Sequence, residues 1–229
     1  MTGQHPRVNQ TLLAATSNPH KLTELRAIFE PLGVRILGLD DVARPGSIPE
    51  PREDGATCEE NARLKALAYA QATGRACLAD DSGLFVDALG GEPGVHSAYY
   101  AGHEGTRAQR DARNNAKLLK ALQGVTTERR TARFVCCMCA ADPAGRILAT
   151  SRGEFPGVVG FEPRGSNGFG YDPLLVLEDG RTSAELTDAE KNARSHRGAA
   201  ARAIAPSLLA ALMNQDSPQR HRGTEKTGI

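Results

Sequence analysis

The chain has no tryptophan, and phenylalanine and tyrosine are scarce, with aromatics at 4% of residues. A core with so few large rings must close on aliphatic and small side chains. No stretch approaches the ~18 apolar residues of a spanning helix, so none is expected. Charge of one sign is not in excess either: 28 basic residues face 27 acidic ones, a net of +1. That balance gives no field for nonspecific binding to nucleic acid or to a membrane surface. Two glycine-rich phosphate signatures are missing, GxxxxGK[ST] and a GxGxxG after a strand. The first residues, MTGQHPRVNQ, are polar and have no apolar core of the kind a secretory signal needs. Cysteine is sparse and odd in number, at 5. Cys136, Cys137 and Cys139 sit in a strand pattern, where alternation puts Cys136 and Cys139 on opposite faces, and no second ligand pair follows at metal spacing. They read as buried thiols in a reducing compartment, and the expected location is cytoplasmic.

What is present is a mixture of strand and helix signals in a chain long enough to bury a full core. TLLAAT at 11–16 reads as a buried strand running into Ser17-Asn18-Pro19, a helix start. A second strand is expected over 34–39 and a loop over 40–56. Thr57-x-x-Glu60 reads as a capping box before a long helix that stops at Gly74. Short strands over 76–79 and 84–87 flank an acidic knot, Asp80-Asp81-Ser82-Gly83. A glycine-rich stretch over 90–105 precedes a polar helix over about 106–123. A hairpin is expected over 131–141 and 146–152, then a glycine-rich loop over 157–173. Thr187-x-x-Glu190 opens a last helical region reaching about Met213, with a break near Ser195.

Five constellations carry chemistry. Asp80 and Asp81 would repel each other if buried together, so they call either for a turn, which Asp-Ser-Gly favours, or for a divalent cation. Thr16-Ser17-Asn18-Pro19-His20-Lys21 puts hydroxyls, an amide and a lysine at a helix start, suited either to anion binding or to plain capping. Glu53, Asp54, Glu59, Glu60, Asn61 and Lys65 surround the start of the next helix. There Asn61 and Lys65, four apart, share a face, while first-turn acids also complement a helix dipole. Gly168-Phe169-Gly170-Tyr171-Asp172-Pro173 lets a ring stand clear of the backbone, where it can stack on a planar base or plug the core. Lys191 with His196 and Arg197 supplies donors for a phosphate or a purine carbonyl.

In order and content, five blocks resemble the inosine/xanthosine triphosphate pyrophosphatase family: TSNPHKLTEL at 16–25, EDGATCEENARLKA at 53–66, ADDSGLFVDALGGEPGVHSA at 79–98, GFGYDP at 168–173 and AELTDAEKNARSHRG at 184–198. The resemblance implies an α/β fold, a two-lobed mixed sheet flanked by helices around a central substrate cleft. It implies one catalytic domain over 11–213 between polar tails at 1–10 and 214–229, usually as a homodimer. The implied activity is Mg²⁺-dependent hydrolysis of ITP, dITP or XTP to the monophosphate and pyrophosphate, with no nucleic-acid or membrane partner. By motif position, Thr16, Ser17, Asn18 and Lys21 would hold phosphate. Glu53 and Asp81 would serve the metal, with Asp81 also the proton acceptor and Lys65 beside it. Ser82 would touch substrate. Phe169 would stack on the base against Gly170, Tyr171 and Asp172, and Lys191, His196 and Arg197 would read the base. One departure is visible: Tyr99 stands where the family usually carries arginine. A different Mg²⁺ phosphohydrolase and a catalytically silent nucleotide-binding module are the competing readings.

Overall fold

The strands and helices follow from local chemistry that can be traced along the chain. In the computed structural model, which describes residues 10–44 and 46–215, β1 (Gln10–Ala14) leads into α1 (Pro19–Phe29). The polar tails expected from the sequence lie outside the described residues, apart from Gln10 and the end of the last helix. Asn18 caps α1 by accepting from the His20 N–H at 3.1 Å, and Pro19 occupies the first turn, where its missing N–H costs nothing. The strand β2 (Val34–Leu37) follows, then a long loop. The next helix is α2 (Cys58–Thr73), stopped by Gly74 in the left-handed conformation. Its capping box is displaced: Thr57 accepts from Glu60 N–H as expected, but the Glu60 carboxylate turns to Ala56 N–H rather than to Thr57.

The acidic knot departs from the sequence expectation. Residues 77–86 form one continuous strand, β3 (Cys77–Val86), rather than two short strands around a turn. Its backbone pairs antiparallel with β4 (Thr131–Ala141) straight through the acids, Asp80 opposite Met138 and Asp81 opposite Cys137. The turn chemistry of Asp-Ser-Gly is overridden by the ladder, which takes up the peptide groups that face β4, while Leu84 N–H on the other side goes to the Ser97 hydroxyl at 2.8 Å. The pleat then sends the two carboxylates to opposite faces, which removes the repulsion that argued for a turn.

The polar helix is α3 (Arg107–Ala121), capped reciprocally by Thr106 and Gln109. The hairpin strand β5 (Ile147–Val159) is longer than expected, and β6 (Leu175–Val176) follows the glycine-rich loop. Two helices complete the described residues, α4 (Asp188–Arg194) and α5 (His196–Gln215), separated at Ser195, whose hydroxyl accepts from Gly198 N–H at 3.1 Å. Among the described residues the strands form one sheet of order β2-β1-β3-β4-β5-β6, parallel around β1 and antiparallel from β3 onward. Among the described residues no helix is long and apolar enough to cross a membrane.

Three apolar clusters hold this arrangement. Leu12, Ala14, Leu78, Cys136 and Met138 pack under α1 and α5 on one face. Leu13, Cys77, Ala79, Cys137 and Cys139 pack under α2 on the other. Leu84, Phe134, Phe155, Tyr171 and Leu174 form a third cluster with Leu118 of α3. All five cysteines are free and buried, and Cys136 faces away from Cys137 and Cys139, as alternation requires. The first turn of α5 rests directly on β5 at Gly153, where an added Cβ would lie 2.2 Å from the His196 carbonyl oxygen and 2.5 Å from the Ala200 nitrogen. Gly153→Ala is therefore expected to destabilise the fold by roughly 1–3 kcal/mol through overpacking. The readout is the urea midpoint at constant slope, and an unmoved midpoint would contradict this packing.

Candidate active site

Strand β3 carries a charge to each face, and each is met differently. Asp80 is buried beneath α1 and α5. Its Oδ2 is 2.8 Å from Lys21 Nζ and accepts from Arg197 Nε at 3.2 Å, Arg197 Nη2 at 3.1 Å and the Ser82 hydroxyl at 3.1 Å. Arg197 continues to Glu24 of α1 at 2.7 Å and also donates to Ser82 at 2.9 Å. Burial works to raise the Asp80 pKa, but Lys21, Arg197 and Lys65 outweigh it and hold the carboxyl far below the usual range. Two acids and two bases thus cancel within this set.

Asp81, on the other face, meets α2. Its Oδ2 accepts from Asn61 Nδ2 at 3.3 Å and its Oδ1 from Lys65 Nζ at 3.3 Å, while the same ammonium reaches Glu53 at 3.1 Å. The four-residue spacing of Asn61 and Lys65 brings both to one carboxylate. Burial would lower the Lys65 pKa, yet the carboxylates of Asp81, Asp80 and Glu53 raise it, so the lysine stays charged. Unlike the Asp80 set, Glu53, Asp81 and Lys65 leave one negative charge over. The other helix-start acids lie elsewhere: Glu59 pairs with Arg152 at 2.6 Å and Glu60 caps its own helix.

A cleft of about 410 Å³ runs past both carboxylates. The side chains to which the resemblance gives roles line it: Thr16, Ser17, Asn18 and Lys21 at the start of α1, Glu53 and Lys65, Asp81 and Ser82, Phe169 to Asp172, and Lys191, His196 and Arg197, whereas His20, Asp54, Glu59, Glu60 and Asn61 are not part of its lining. Capping and ligand-ready donors coexist at Asn18. Its Oδ1 caps α1, while its buried Nδ2 has no partner among the described residues. In the loop that carries Phe169, glycine is required at 168, where φ is +83° and a Cβ would lie 2.2 Å from Asp172 Oδ2 and 2.4 Å from Lys191 Nζ. Asp172 organises this loop, accepting from Phe169 N–H at 2.8 Å, Ser183 Oγ at 2.7 Å and Lys191 Nζ at 2.6 Å. Tyr171 turns inward instead and donates its hydroxyl to the Ser97 carbonyl at 2.9 Å. His196 stacks on Phe134 at 5.0 Å, and its Nδ1 is the other buried atom of the cleft without a partner among the described residues. Burial, with help from Arg197 and Lys191, pushes the His196 pKa well down, so the imidazole is neutral.

Several lining residues were not foreseen: Glu50, Tyr69, Ser97, Phe134, and Arg107, Arg110 and Asp111 of α3. The last three lie at i, i+3 and i+4 on one helical face, a signal that shows a shared face but not what it covers. Tyr99 lies in the wall near them, stacked on His103 at 4.2 Å with the Arg110 guanidinium 5.4 Å from its ring. The donor chemistry at Glu53 and Asp81 suits Mg²⁺. Both offer hard oxygens, they carry surplus negative charge, and Mg²⁺ is commonly held by one or two carboxylates with phosphate and water completing its shell.

Known proteins resemble this chain over most of its length. The profile of the Ham1 family matches residues 12–207. A dITP/XTP pyrophosphatase of Nitratidesulfovibrio vulgaris is 50% identical over 197 residues, covering 85% of this chain and 93% of that protein. One from Nocardia farcinica is 51% identical over 203 residues, covering 87% and 95%. Among solved structures, a HAM1 protein from Coxiella burnetii superposes with a TM-score of 0.76 at 36% identity, covering 90% of this chain and 99% of that one.

The Asp80 set has a pH signature. A carboxylate whose folded pKa is depressed adds stability above its unfolded value, and that stability drains away as pH falls through the folded one. Wild-type stability should therefore fall as pH drops below about 4. Asp80→Asn should be less stable than wild type at neutral pH by roughly 3–5 kcal/mol, since it strands buried cations, and should lose less on acidification. Urea unfolding between neutral and acid pH checks this, and parallel pH profiles for the two proteins would contradict it.

Proposed function

The chain belongs to the Ham1 family, and from that premise we propose that it hydrolyses non-canonical purine nucleoside triphosphates, ITP, dITP and XTP, to the monophosphate and pyrophosphate, clearing them from the nucleotide pool. The observation that carries this reading is the make-up of the cleft. It presents helix-start donors and Lys21, an aromatic ring between glycines, and an acid pair with a lysine. The Phe169 ring stands close to the helix start, its centroid 5.9 Å from that of His20, so a base subsite and a phosphate subsite adjoin. The donors suit a triphosphate and the ring a planar base.

The start of α1 offers the Asn18 amide, which has no partner among the described residues, to phosphate oxygens. Lys21, now on Asp80, lies within the same wall and can share its charge with the phosphates. Glu53 and Asp81 would hold Mg²⁺, which when bound neutralises charge on the triphosphate. Asp81 accepts the proton of the water that attacks the α-phosphorus, and pyrophosphate leaves. Lys65 is pinned between Glu53 and Asp81, orients both carboxylates and stabilises the negative charge that builds on the phosphoryl oxygens. At the base end, the neutral His196 can donate from Nδ1 to a 6-oxo group. Arg197 has most of its N–H groups committed to Asp80, Glu24 and Ser82, so it holds the wall more than it reads the base. A 6-amino group facing the same donor leaves both unpaired, which disfavours ATP by about 1–3 kcal/mol.

Pyrophosphate release is expected from ITP and XTP in the presence of Mg²⁺, to stop when the metal is chelated, and to run about 5- to 100-fold slower with ATP at equal concentration. Orthophosphate as first product, or equal rates on ATP and ITP, would contradict the reading. Asp81→Asn should lower kcat at least about 100-fold, the scale of a lost general base, while its unfolding transition remains cooperative. Near-normal turnover would remove Asp81 from the chemistry.

A further inference from the structure

Three cations lie over the Phe169 ring, and they are not equivalent. Lys191 Nζ stands 5.1 Å from the ring centroid but is bound to Asp172 at 2.6 Å. Arg197 Cζ stands 5.7 Å away and is committed to Asp80 and Glu24. Arg107 is the nearest, with Cζ 4.6 Å from the centroid. Its ion pair with Asp111 is long, at 3.9 Å, and its side chain is 47% exposed. Of the three, Arg107 alone is held chiefly by the ring itself.

The helix that carries it is fastened to the same loop. Gly170 donates its N–H to Asp111 Oδ2 at 3.0 Å and accepts from Asn115 Nδ2 at 3.0 Å through its carbonyl. One helix therefore grips both polar groups of the residue beside Phe169. The backbone of α3 and the ring are fixed relative to each other, and the Arg107 side chain is the movable element between them.

We infer that Arg107 is the outer wall of the base subsite: the purine stacks on Phe169 and the Arg107 guanidinium lifts from the ring to close over it. This rests on the nucleotide reading given above. A base inserted between them adds a layer of roughly 3.5 Å, within the reach of a half-exposed arginine. A guanidinium stacks on a π-face while remaining charged, which lysine cannot reproduce. It also favours the base that carries most negative charge. Xanthine, with oxo groups at positions 2 and 6, is more acidic than hypoxanthine and is largely anionic at mildly alkaline pH. Arg107 thereby biases the cleft toward XTP.

The test is steady-state pyrophosphate release from ITP and from XTP at mildly alkaline pH by wild type, Arg107→Ala and Arg107→Lys. Arg107→Ala should raise KM about fivefold for ITP and roughly twentyfold for XTP, with kcat within about twofold and thermal unfolding unchanged. Arg107→Lys should recover part of the loss on XTP and little of that on ITP. KM values within about twofold of wild type on both nucleotides overturn the inference, as does a fall in kcat at unchanged KM. A wild-type protein that releases no pyrophosphate from either nucleotide overturns the functional reading itself, and this inference with it. That result is distinct from a loss confined to the variants.

Discussion

A carboxylate without water around it must be held by cations, and Asp80 is held by two that come from distant parts of the chain, Lys21 near its start and Arg197 near its end. This requirement ties α1 and α5 to the middle strand of the sheet. Glu24 completes the set, so the buried charges cancel, which is the condition under which such a cluster is tolerated. The close approach of α5 to β5 at Gly153 brings His196 and Arg197 to their places. What lies on this face of β3 is an electrostatic frame whose partners are already spoken for.

The opposite face is left unbalanced. Pleating turns Asp81 away from Asp80 toward α2, where Lys65 is shared with Glu53 and cannot neutralise both acids. A strand that presents a closed charge set on one side and an open one on the other separates structural work from chemical work within two adjacent residues. The open side faces the cleft where a cation and a triphosphate would meet, and it stays pre-oriented because Asn61 and Lys65 hold both oxygens of Asp81.

Much of this was legible in the sequence where a residue's role is local. Thr57, Thr187 and Asn18 mark helix starts through their own side chains, and Gly74 marks a stop through its φ. The candidate site residues were legible for a different reason: the five blocks that contain them match a known family in order and content. The failures share a cause as well. Asp80-Asp81-Ser82-Gly83 has turn chemistry, yet it lies in a strand because partners from α1, α2 and α5 take up the charge that would have demanded solvent. The role of α3 was invisible because Asp111 and Asn115 reach Gly170 across 59 and 55 residues of chain. No local pattern encodes that contact.

In this cleft water must arrive at the α-phosphorus beside Asp81, with the base on Phe169 and pyrophosphate leaving toward the start of α1. Hydrolysis of ITP in water labelled with oxygen-18, followed by mass spectrometry of both products, tests this directly. The label should appear in the inosine monophosphate, with none in pyrophosphate. Label in pyrophosphate would mean attack at the β-phosphorus, and the placement of Asp81 as the base for that water would be wrong.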